Sequence, residues 1–81
     1  MKKAEQNELD WDVFRRRLRG LRGDRDLEQI TLSQLCGLYD KAVFDYENGR
    51  RKPSVETAIR ISDFFGVSLE YLIGREENHL R

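Results

Sequence analysis

Only three residues, Gly37, Leu38 and Tyr39, separate two short segments that each carry apolar residues at helical spacing, and this tight link constrains the fold more than any other feature. Upstream, Glu28 and Gln29 open a helix that ends near Cys36, with Leu32, Leu35 and Cys36 expected on its buried face. Downstream, a helix begins at Tyr39 or Asp40 and runs through Lys41, Ala42, Val43, Phe44 and Asp45 until Asn48-Gly49 stops it. So short a connection makes the two helices spatial neighbours, in the helix-turn-helix pattern whose second helix can enter a DNA major groove. Any helical hairpin shares that local pattern, so the flanking sequence has to decide.

Residues 1–9 lack an apolar period and read as a flexible tail, after which Asp10 or Asp12 caps a first helix through about Arg22. Phe14, Leu18 and Leu21 give that helix one apolar stripe, with Arg15, Arg16, Arg17 and Arg19 placed around it for solubility and ion pairs and for at most one phosphate contact. Gly23 suits its end, and residues 23–26 read as a charged turn. Beyond Gly49 comes the basic loop GRRKP. Ser54 then caps a fourth helix with Val55, Ala58, Ile61, Ser62 and Phe65 inward, ended by Gly66; Ser68 caps a last helix, Leu69 to Ile73, closed by Gly74. The expectation is an all-α domain over residues 10–74, a compact five-helix bundle with a C-terminal tail at 75–81. Of Phe64, Tyr71, Leu72 and Ile73 some must fill the core, while the remainder would leave an exposed patch, so the four are candidates for a dimer interface.

An 81-residue chain has room for one modest core, which excludes a multidomain enzyme. Cys36 falls in a helical stripe and His79 in the tail, so neither a nucleophile with its base nor a set of metal ligands is offered, and no cofactor is expected. No apolar run reaches the roughly 18 residues of a membrane span and the start MKKAEQNELD is polar, which points to the cytoplasm and to no membrane partner. Formal net charge is zero, yet residues 13–60 hold eleven Lys or Arg against seven Asp or Glu, while both flanks are acidic. The positive charge thus gathers where a nucleic acid would be met.

With these elements placed, the sequence resembles the Cro and phage-repressor family, the xenobiotic-response-element type of helix-turn-helix, over about residues 13–74. The matching residues are Leu18, Leu21 and Arg22; Gln29, Leu32, Ser33 and Gly37; Val43 and Tyr46-Glu47-Asn48-Gly49; then Arg51 to Thr57 and Phe65 to Leu72. The resemblance implies a transcriptional regulator, a repressor, bound to palindromic double-stranded DNA as a homodimer. It implies that Gln29 contacts a phosphate and braces the third helix, and that Arg22 and Glu47 form a partly buried ion bridge. It also implies that Asp40, Lys41 and Asp45 reach base edges, with Tyr39, Ala42 and Phe44 bordering that face and Asn48 at its end.

Chemistry agrees with several of these roles. Lys41 can donate to guanine O6 and N7, an Asp can accept from cytosine N4, and Phe44 can either meet a thymine methyl or be partly buried against the second helix. Arg50, Arg51 and Lys52, directly after the third helix, suit phosphates, which set register without reading sequence. Glu28 stands where the family has a Ser or Thr cap, and Tyr39 where a small cap is usual, so Asp40 is expected to cap the third helix; Asp45 is evenly a reader or a solvated side chain. Two acids on such a face also fit an alternative, an antitoxin-like module whose main contact is a protein partner.

Overall fold

The computed structural model describes residues 10–75; the tail expected at 1–9, and all but Arg75 of the one expected at 75–81, including His79, lie outside the described residues. The described residues form five helices: α1 (Trp11–Asp24), α2 (Gln29–Leu35), α3 (Ala42–Glu47), α4 (Val55–Phe65) and α5 (Leu69–Leu72). Short polar side chains start three of them. Asp10 accepts from the Val13 amide at 3.2 Å, Ser54 from that of Thr57 at 3.1 Å and Ser68 from that of Tyr71 at 2.9 Å, each satisfying a first-turn donor with no carbonyl partner inside the helix.

Phe14 and Leu18 of α1 meet Leu32 of α2 and Cys36 directly after it, Val43 and Tyr46 of α3, Ile61 and Phe65 of α4 and Leu72 of α5 in one core. The helices pack α2 on α3, α4 on α5, and α1 against both α3 and α5. No helix among the described residues is long and apolar enough to cross a membrane.

Several side chains lie elsewhere than the sequence predicts. Leu35 is 58% exposed, because Ser33 as well as Leu32 and Cys36 turns inward. At 3.6 residues per turn that centres the buried arc about 50° past Leu32 and leaves Leu35 about 110° away from it. Val55, at the first position of α4, is 69% exposed at the rim of a shallow groove shared with Trp11, Leu69 and Ile73. Leu72 and Ile73 are buried, so neither is a surface for a dimer partner; they close the core because α5 folds back on the start of α1, where the Asp10 amide donates to the Ile73 carbonyl at 3.2 Å. Phe64 and Tyr71 are half-buried, Phe64 with Arg25 5.2 Å from its ring centre and Tyr71 with Arg17 at 4.0 Å. The first helix also runs on through Gly23 to Asp24, and the turn is made by Asp26 at φ 54°.

Gly74 makes the closure of α5 on α1 possible. Its φ is +84°, and a Cβ there would stand 2.9 Å from the Cβ of Asp10 and 3.2 Å from its carbonyl oxygen. Gly74→Ala therefore combines left-handed strain with a clash against backbone, and is expected to cost about 2 kcal/mol in urea unfolding. An unchanged midpoint would show that this contact is not tight in solution.

Candidate nucleic-acid interface

α3 is only six residues long, too short to be stable by itself, so its orientation is imposed by what holds it. Four of the six, Ala42, Val43, Tyr46 and Glu47, are buried. Ala42 thus belongs to the core and does not border an outward face: the helix starts two or three residues later than the sequence predicts, and its first two residues both point inward. Lys41 occupies the cap position with no side-chain hydrogen bond, so Asp40 is not the cap either; it accepts from Gln34 Nε2 at 3.2 Å.

The missing cap is replaced from α2. Ser33, fully buried, donates through Oγ to the Gln29 carbonyl and accepts from the Val43 amide, both at 3.0 Å. Ser33→Ala leaves that buried amide unsatisfied and is expected to lower stability by about 1–2 kcal/mol. Faster hydrogen exchange confined to the first turn of α3 would be the accompanying sign, and unchanged exchange would count against the assignment.

The other end of α3 is held by charge. Glu47 is 2% exposed, and Arg22 of α1 donates to both its oxygens, Nε to Oε2 at 2.7 Å and Nη2 to Oε1 at 3.0 Å. Gln29 at the start of α2 donates to the same Oε1 at 2.9 Å, so one carboxylate gathers the ends of three helices. Arg19 adds a longer approach to Oε1 at 3.5 Å and a bond to the Glu47 carbonyl at 3.2 Å, and Arg22 Nη1 reaches the Leu27 carbonyl at 2.8 Å. The hydrogen bond to Glu47 raises the pKa of Arg22, against the opposing effect of its burial and with further help from the carboxylate charge.

In front of these anchors lies the exposed face. Gln29, Ile30, Asp40, Lys41 and Phe44 line one shallow groove between the start of α2 and α3, with the Lys41 ammonium 5.2 Å from the Phe44 ring centre. Beside it the Tyr39 hydroxyl donates to Asp45 Oδ2 at 2.9 Å and receives Arg51 at 3.5 Å. That hydroxyl is also the main reason the pKa of Arg51 is raised. Both acids of this face are therefore engaged by neutral donors. Asn48 is exposed and donates to the Phe44 carbonyl at 2.8 Å; Arg50 is exposed, while Lys52 lies over Trp11 at 5.4 Å, toward the start of α1.

The helix-turn-helix family model matches residues 18–72, from the middle of α1 to the end of α5. The chain belongs to that family. Among curated relatives, this helix-turn-helix chain is 29% identical over 68 residues to the cryptic phage CTXphi transcriptional repressor RstR of Vibrio cholerae, an alignment covering 84% of this chain and 61% of that one. It is 35% identical over 66 residues to YqaE, an uncharacterized HTH-type transcriptional regulator of Bacillus subtilis strain 168, covering 82% and 57%. The chain thus spans about three-fifths of the length of these relatives. Two solved structures share the fold at 22% identity: the hypothetical transcription factor NHTF from Neisseria, TM-score 0.73 with 82% of each chain covered, and the P22 c2 repressor bound to synthetic operator 9T, TM-score 0.72 with 79% of this chain and 97% of that one. The family and the all-helical five-helix fold read from the sequence are both borne out.

Sequence reasoning missed one member of this helix-turn-helix face, Ile30, which is 46% exposed. It is an apolar residue about 110° from the centre of the buried arc of α2, on the side opposite Leu35, and the position of that arc is set by the buried Ser33 rather than by the apolar spacing. Cys36 has no such role. Burial pushes its thiol pKa up, with a smaller opposing effect from Arg60, so the group stays neutral and acts as a core residue.

Proposed function

We propose that this chain is a sequence-specific transcriptional repressor that lays α3 in the major groove of an operator and occupies it as a homodimer on a palindrome. The observation that carries this reading is the groove of Gln29, Ile30, Lys41 and Phe44, presented by a helix whose two ends are pinned by Ser33 and Glu47. Lys41 suits guanine O6 and N7, and the exposed edges of Phe44 and Ile30 suit thymine methyl groups. Arg50 and Arg51 follow at the edge of that face, where phosphates set the register.

Relatives named as a phage repressor and an HTH-type regulator support the role in transcription. Pairing of two copies follows from the number of contacts: three or four base-facing side chains discriminate little, and a two-fold repeat doubles the sites read. Val55 and Ile59, one turn apart on α4, are exposed apolar side chains available to such a partner. The antitoxin-like alternative draws no specific support, because Asp40 and Asp45 are already engaged within the chain.

The test is selection from a random pool of duplexes, followed by binding curves on the enriched sequence at several salt concentrations. Enrichment of a palindrome with a steep salt dependence is expected. Enrichment of nothing, with no binding at low salt, would overturn the reading.

A further inference from the structure

Behind the Arg22–Glu47 pair an open cleft of about 500 Å³ runs between α1 and the end of α3, lined by Asp12, Arg15, Arg16, Arg19, Glu47 and Asn48. We propose that this cleft is a phosphate-binding site, and that in a DNA complex it holds a backbone phosphate beyond those reached from the basic loop; this rests on the DNA-binding reading above.

Charge and chemistry favour an anion. Three guanidinium groups face two carboxylates, and of those Glu47 is already matched by Arg22 on its other side. Asp12 pairs with Arg15 at 2.7 Å, while Arg16 is exposed and has no ion pair among the described residues. Guanidinium presents a planar fork of donors that fits two phosphate oxygens at once, which ammonium groups do not.

Position favours DNA as the source. α3 rises about 9 Å over its six residues while the major groove is about 12 Å wide, so a helix entering the groove ends near its wall, the phosphate backbone. The cleft opens at that end. Asn48, which follows α3, lines it, and the Arg15 side chain lies over Gly49, where an added Cβ would stand 3.3 Å from Nη1. The arginines of α1 and the basic loop thus flank the same end of the helix from two sides.

The experiment compares Arg16→Ala, chosen because its side chain bonds to nothing among the described residues, with wild type and with Arg75→Ala, which removes the same charge beyond α5. Each binds the selected operator and a scrambled duplex between 0.05 and 0.3 M salt, concentrations chosen so that on the order of one phosphate contact is resolved as a slope. Arg16→Ala is expected to weaken both duplexes on the order of tenfold at about 0.1 M salt and to lower the log–log salt slope by about one, with Arg75→Ala and the melting temperatures unchanged. Equal weakening by Arg75→Ala would reduce the effect to net charge and overturn the site. Wild-type affinity and slope in Arg16→Ala would overturn it too, whereas absence of DNA binding by wild type would sink the functional reading itself. A parallel titration with inorganic phosphate, followed by the arginine Nε–H resonances, separates the sources: shifts at Arg16 without any change in the DNA slope would leave a free-anion site and reject the backbone contact.

Discussion

Glu47→Ala is expected to be the most damaging single substitution on the binding side of the molecule, lowering stability by about 3–5 kcal/mol. The size follows from what the carboxylate does. It is fully buried, it accepts three hydrogen bonds from Arg22 and Gln29, and its removal leaves the Arg22 guanidinium, only 19% exposed, without a counter-charge. At about 4–8 °C per kcal/mol for a domain this small, the melting temperature should fall by more than about 10 °C. Glu47→Gln, which keeps the shape but turns one end into a donor facing Arg22, should fall between. The Arg22 guanidinium left behind is largely buried, where salt screens little, so added salt should rescue neither variant. A melting temperature within a degree or two of wild type would mean that the bridge does not organise α3.

The second large effect is expected on DNA. Lys41→Ala should cost about 1–3 kcal/mol on the selected operator and flatten the preference at one base position, since its ammonium stands over Phe44 at the mouth of the groove, away from the loop arginines. Arg51→Ala should instead weaken all sequences alike. Competition against operators altered one base pair at a time distinguishes the two. If Lys41→Ala loses the same amount on every competitor, Lys41 touches a phosphate and the reader lies elsewhere on α3.

What could be read from the sequence was what is decided locally. Asp10, Ser54 and Ser68 as caps depend on bonds three residues away, and the inward stripe of α1 on spacings of three and four. The Arg22–Glu47 bridge spans 25 residues and has no local signature; it entered only through resemblance to a family. Leu35, Ile30 and Ala42 were misplaced or missed for one common reason. Which arc of a seven-residue or six-residue helix faces inward is set by its neighbour, and here a buried hydroxyl, Ser33, shifts the arc of α2 while a late start shifts that of α3. Leu72 and Ile73 looked like surplus surface because nothing local reveals that α5 returns to α1.

That return has an effect on anything joined to the domain. Since the Asp10 amide bonds to the Ile73 carbonyl and Gly74 lies against Asp10, the two ends of the described fold leave from a single corner. Segments attached before and after it start as neighbours, so whether they meet is governed by linker length and stiffness rather than by diffusion between separate molecules. A domain whose entrance and exit coincide can also be inserted within another chain while disturbing its host by little more than the width of a turn.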